Sequence, residues 1–279
     1  MSLSARERQE IDRANESGSQ PVVFVHGLWM LGSSWQPWRS LFEENGYATL
    51  APGWPDDPET VAEARECPER FAGKGIRQVA DHMTEVIRSL QQQPVVIGHS
   101  FGGLITQQLA GRGLAAASVA IDSAPFRGVL PLPLSALRSA FPVLGNPANR
   151  HRAVTLSPEQ FRYAFANAVG AEEAEHLYET FAVAGPGLPL FQAATANLNP
   201  STEAAVDTLG TRRGPMLLIS GEKDHIAPRA VADATYRRQR RNLATTEFQE
   251  ITDRGHSLVV DSGWEVVAEA ALSFVKRHR

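Results

Sequence analysis

The run Val95-Val96-Ile97-Gly98-His99-Ser100-Phe101-Gly102-Gly103 constrains this chain more than any other. A β-branched stretch passes straight through Gly-x-Ser-x-Gly into Leu104-Ile105-Thr106-Gln107-Gln108-Leu109, which reads as a helix. A strand that turns at once into a helix forces the residue between them into a strained turn. The positions two before and two after it must then lack side chains, so that strand and helix can approach each other. Such a turn holds the Ser100 hydroxyl out at the top of a sheet and at the positive end of a helix. The competing reading is an incidental glycine-rich turn.

The rest of the chain repeats the alternation of strand and helix. Further strand-like runs are Val22–Val25, Ala48–Ala51, Ala117–Ile121, Met216–Ile219 and Thr246–Ile251. The runs at 22–25, 95–97 and 216–219 are continuously apolar, as expected of central strands covered on both faces. Helical spacing marks 76–91, 103–112, 229–240 and 263–277, with Ile76, Val79, Met83, Val86, Ile87 and Leu90 forming one stripe. The pattern predicts an α/β fold, a mostly parallel sheet with helices on both faces. Residues 1–19 lack sustained periodicity and end in Ser17-Gly18-Ser19, which predicts a flexible N-terminal arm. Between Phe126 and Val206 no strand is evident, while Ser157-Pro158-Glu159-Gln160 is a good helix start. This predicts an α/β core over 20–125 and 207–279, with an all-helical insertion over 126–206. Lying beyond the carboxyl ends of the strands, where open α/β sheets bind ligands, the insertion is a candidate cap or lid. The 279 residues suit one α/β domain with an insertion as well as two separate domains.

Charge excludes several partners. The net charge is −4, so no electrostatic field draws the chain to nucleic acid, and the basic run Arg237–Arg241 suits a helix C-terminus. No window approaches the roughly 18 apolar residues of a membrane span, and the polar N-terminus does not read as a secretory signal. Cys67 is the single cysteine, so no internal disulfide forms and a cytoplasmic setting is expected. No Cys/His cluster has zinc spacing, and neither a Walker sequence nor a dinucleotide fingerprint occurs. The chemistry is therefore expected to need no metal and no cofactor.

Three further segments complete a pattern. They are Phe24-Val25-His26-Gly27-Leu28-Trp29 after the first strand, Ile219-Ser220-Gly221-Glu222-Lys223-Asp224 at a strand end, and Asp253-Arg254-Gly255-His256-Ser257 before the final helix. With the Ser100 turn, these make the chain resemble the serine-type α/β-hydrolase family with a helical cap, of the esterase and lipase kind, from Pro21 onward. The resemblance implies a triad of Ser100, Asp224 and His256, in the family's Ser…Asp…His order. It also implies an oxyanion hole from the backbone N–H groups of Leu28 and Phe101. Trp29 and Phe126 are the expected substrate-binding residues, although Trp29 also suits a place in the core.

Rivals exist for two of these roles. Of the eight histidines, only His256 sits in a strand-to-helix loop after the acid; His26 and His99 belong to the glycine turns. Asp122, at the end of the strand before the insertion, occupies a position that some related enzymes use for their acid. Asp56 and Asp57 read as a turn or a cap for a helix at 58–66, or else as a polar contact to substrate. The function the resemblance implies is hydrolysis of a small or medium apolar carboxylic ester through an acyl-enzyme. Serine at the turn argues against dehalogenase or epoxide hydrolase chemistry, for which similar enzymes use aspartate. The alternatives are a perhydrolase or non-haem haloperoxidase activity on the same residues, or a ligand-sensing protein with a weak hydrolase site. Apolar side chains of the insertion, such as Leu130, Leu134 and Phe161, are expected to pack on the core or to turn toward Ser100. The partner is a small-molecule ester, and the sequence is silent on oligomeric state.

Overall fold

The computed structural model describes residues 3–278; Met1, Ser2 and Arg279, which fall within the expected arm and core, lie outside the described residues. Six parallel strands form the sheet: β1 (Pro21–Val25), β2 (Ala48–Leu50), β3 (Val95–His99), β4 (Ala117–Ile121), β7 (Met216–Gly221) and β8 (Thr246–Ile251). Their order is β2-β1-β3-β4-β7-β8. Because β1 has β2 on one side and β3 on the other, the chain reverses its winding direction between β1 and β3. In open α/β sheets such a reversal, at the carboxyl ends of the strands, is where ligands bind.

The continuous apolar runs fall where burial on both faces requires them. Alternate residues serve separate cores: Val22, Phe24, Val95 and Ile97 pack with Trp38, Phe42 and Phe274, while Val23, Val25 and Val96 pack with Val79, Met83 and Leu104. The first core belongs to helices α2 (Gln36–Glu44) and α11 (Trp264–Arg277). The second belongs to α4 (Ile76–Arg88) and α5 (Phe101–Gly111). Helix α3 (Val61–Glu66) is capped by Thr60, whose hydroxyl accepts from Glu63 N–H, rather than by Asp56 or Asp57. Helix α10 (Arg229–Gln239) lies between β7 and β8 in sequence.

Two expectations are corrected. The N-terminal arm is helix α1 (Ala5–Ser17), opened by a Ser4/Glu7 capping box and closed by left-handed Gly18. Its buried face includes charged residues, which hides its periodicity. Glu7 meets His82 at 2.8 Å, and Glu10 meets Arg39 at 2.8 Å. Ile11 and Ala14 join the core beneath α4.

The second correction concerns 126–206, which is not all helical. Helices α6 (Leu134–Leu144), α7 (Pro158–Ala164), α8 (Ala171–Phe181) and α9 (Leu188–Ala194) are joined by a short antiparallel pair, β5 (Ala153–Val154) with β6 (Gly185–Pro186). Pairs of two residues are too short to show an alternating pattern. Moreover, Leu130, Leu132, Leu134, Leu137 and Phe141 neither pack on the core nor turn toward Ser100; they stand in solvent.

If α1 is an integral layer, Ile11→Ala should destabilise the fold by about 2–5 kcal/mol, the cost of emptying a packed aliphatic site. Urea unfolding measures this; a change below about 0.5 kcal/mol, the level of a surface substitution, would mean that α1 contributes no packing.

Candidate active site

Steric necessity builds the site. Ser100 lies between β3 and α5 at φ 57° and ψ −122°, a conformation costly for any residue with a side chain. It persists because backbone surrounds it. A Cβ at Gly98 would sit 2.2 Å from the Gly102 carbonyl oxygen, and one at Gly102 would sit 2.0 Å from the Val25 carbonyl oxygen. Such overlaps with main chain have no rotamer solution. The elbow is further tied to β4, since Ser100 N–H donates to Ile121 and Ala124 N–H donates to the Ser100 carbonyl.

The turn after β1 meets Ser100 directly. A Cβ on Gly27 would lie 2.7 Å from Ser100 Cβ and 3.3 Å from Oγ. Leu28 is buried here, and Phe101 opens α5, whose first N–H groups have no partner inside the helix. Behind the turn lies a buried polar chain that sequence reading missed. His26 Nδ1 bonds the Gly27 carbonyl, its Nε2 is 3.3 Å from Asp57, and Asp57 in turn meets Lys74 at 2.9 Å. Asp57 also accepts the Trp54 N–H, so it both forms a turn and supports the His26 loop. Nothing in the sequence near Lys74 signals that contact.

His256 is fully buried, and its Nδ1 is 2.7 Å from Asp224 Oδ2. The other Asp224 oxygen accepts the N–H groups of Ile226 and Ala227 at 2.6 and 3.1 Å, which fix the orientation of the carboxyl group. Asp122 stands at 3.9 Å from the same Nδ1 and takes a single N–H, from Gly221 at 2.8 Å. Burial, and then the charge of Asp224, push the Asp122 carboxyl well above the usual carboxylate range. Of the two aspartates, Asp224 is the one within hydrogen-bond distance of His256 Nδ1.

The imidazole is enclosed on its remaining sides. His99 stacks obliquely on it with ring centres 4.4 Å apart, and burial, followed by the charge of His256, holds His99 well below the usual histidine range. Phe165, from the end of α7, meets it edge-on at 4.9 Å, and the Phe165 carbonyl accepts the Ser257 N–H. That contribution from the insertion was not visible in sequence. Among the described residues, His256 Nε2 has no hydrogen-bond partner, so the bond from Ser100 Oγ is not made. Loose geometry of this kind is ordinary without substrate.

Trp29 and Phe126 are both buried within the apolar cluster that also holds Phe101 and Phe165. Trp29 adopts φ 64° and donates its indole N–H to Val154, so it pins the insertion to the turn after β1. Among the described residues, His99, Asp122 and His256 offer potential metal-ligand atoms within 4.8 Å of one another. His256 Nδ1 is already bound to Asp224, so that cluster is the surroundings of the imidazole.

The sequence matches the model of the alpha/beta hydrolase family over residues 22–270, and the chain belongs to that family. Among solved structures, it is similar to the monoacylglycerol lipase of Paleococcus ferrophilus, at 19% identity and TM-score 0.64, covering 93% of this chain and 95% of that one. A thermophilic esterase from Thermogutta terrifontis matches at 19% identity and TM-score 0.64, covering 93% and 90%. No curated protein sequence matches the chain. At such identities the likeness establishes the fold, a six-stranded parallel sheet with helices, shared with lipases and esterases.

Proposed function

We propose that this hydrolase cleaves small or medium apolar carboxylic esters, with Ser100 as nucleophile, His256 as general base and acid, and Asp224 as the orienting anion. The observation that carries the reading is the buried 2.7 Å pair of His256 and Asp224, beside a strained serine whose hydroxyl faces the Gly27 turn. In the reaction, Ser100 Oγ attacks the ester carbonyl and its proton passes to His256 Nε2, the imidazole nitrogen left free. The Leu28 and Phe101 N–H groups receive the developing oxyanion, a donor of this kind being worth about 2.7–4 kcal/mol of barrier. Collapse expels the alkoxide, which takes the proton from His256. Water, activated by the same base, then releases the acid and restores Ser100.

Residues 126–206 act in this reading as a cap, with Phe165 and Trp29 closing the site. Support for an enclosed, apolar pocket comes from the burial of Ser100, which is 3% exposed, and from the aromatic surroundings of His256. Asp122, which accepts the Gly221 N–H at 2.8 Å, stands behind the pair without bonding His256. A cytoplasmic setting accords with the single cysteine, and among the described residues no helix is long and apolar enough to cross a membrane.

Ser100→Ala should abolish both ester hydrolysis and covalent labelling by a fluorophosphonate while the thermal transition stays in place. Labelling at the wild-type rate in this variant would remove Ser100 from the nucleophile role.

Asp224→Asn should lower kcat by orders of magnitude, the comparable change in a serine protease costing about 10⁴-fold. Asp122→Asn should cost far less, since Asp122 stands 3.9 Å from His256 Nδ1, beyond hydrogen-bond distance. Reversal of the two effects would make Asp122 the working acid.

Across p-nitrophenyl esters from acetate to palmitate, kcat/KM should peak among short and medium chains. A steady rise to the longest chain would contradict the enclosed pocket.

A further inference from the structure

The chain leaves β4 through an acid-free stretch. Between Asp122 and Glu159 there is no aspartate or glutamate, and the ionisable side chains are Arg127, Arg138, Arg150, His151 and Arg152. All five are exposed. In a protein of net charge −4, this is a local reversal of sign. The cap's acids gather instead on α8, at Glu172, Glu173, Glu175 and Glu179. Glu159, the nearest in sequence, is held by the Ser157 hydroxyl.

The same stretch is where the molecule exposes apolar surface. Leu130, Leu132 and Leu134 alternate outward, with Val129 buried and Pro131 and Pro133 half-buried between them. Helix α6 continues the stripe through Leu137 and Phe141, three and seven residues after Leu134, so all three lie along one side. Leu134 is 84% exposed and Phe141 70%, whereas Ser139 and Val143 are buried. Single exposed leucines need no explanation, but a contiguous apolar stripe marks an interaction surface.

Charge decides what covers it. A second copy meeting this patch with its own would set arginine against arginine, because a two-fold contact pairs a surface with itself. An anionic lipid surface satisfies both halves of the pattern. Apolar side chains enter the acyl boundary, and arginines reach the headgroups while their stems stay in the apolar layer. We infer that residues 127–152 seat this protein on an anionic lipid surface, the leucines and Phe141 entering it. The surface then lies over the Asp224 loop, because the Ser139 hydroxyl on the inner side of α6 donates to the His225 carbonyl at 3.4 Å.

Co-sedimentation with vesicles tests this without any reference to ester hydrolysis, so the two proposals fail separately. The protein should pellet with vesicles of phosphatidylcholine containing phosphatidylglycerol, much less with phosphatidylcholine alone, and be released by salt. Arg150→Ala with Arg152→Ala should weaken binding on the order of tenfold. Leu134→Glu, Leu137→Glu and Phe141→Glu together should abolish it with an unchanged Tm, since all three side chains stand in solvent. Binding to neither vesicle, equal binding to both, or wild-type binding by the triple variant would overturn the inference. A dimer in sedimentation velocity that the triple variant dissolves would also overturn it and assign the stripe to a second copy.

Discussion

How closely helix α5 approaches strands β1 and β3 determines everything at the carboxyl edge of this sheet. The Gly98–Gly102 contact and the seating of Gly102 on the Val25 carbonyl leave no room for a methyl group. That approach holds Ser100 at a positive φ, brings the helix N-terminus to its hydroxyl and presses the Gly27 turn against it. The strain is stored locally and sustained by strands buried on both faces, whose two cores cannot shift independently. A looser sheet would let the elbow relax, and the serine would lose its strained geometry.

The second organising constraint is electrostatic. Two aspartates and two histidines share a space from which water is excluded, and they cannot all be charged. Backbone geometry settles the division. Asp224 receives two N–H groups and the His256 ring, whereas Asp122 receives one N–H and the repulsion of Asp224. Burial and then the Asp224 charge push the Asp122 carboxyl upward, while burial and then the His256 charge hold the His99 ring downward.

Much of this was legible in sequence, for identifiable reasons. The strands were readable because burial on both faces demands uninterrupted apolar runs, and the elbow because its steric rule fixes glycine positions. Helix α1 was not, because its buried face carries Glu7 and Glu10, satisfied by His82 and Arg39 from distant elements. Apolar periodicity does not register charges that are paired in three dimensions, although Ser4 and Glu7 at capping-box spacing were there to be read. The Lys74–Asp57–His26 chain and the place of Phe165 depend on long-range contacts with no local signature. The leucines of 130–137 misled in the opposite sense, since hydrophobicity alone does not distinguish a face that packs from one that stands in solvent.

The insertion faces both ways, and its two sides are mechanically joined to the site. Phe165 touches the His256 ring with its side chain and holds the next residue through its carbonyl, so the end of α7 takes part in setting the imidazole. The indole of Trp29 ties the turn after β1 to β5. Because Ser100 and His256 are both buried, any carbonyl that reaches the serine must displace side chains that now cover it. Phe165 of the insertion is among the side chains that enclose the His256 ring. One segment therefore both encloses the His256 ring and is tied to the loop that carries it. Buried together, the Asp224 carboxyl and the His256 ring interact with little screening by solvent, and the Phe165 side chain helps to keep solvent from the ring.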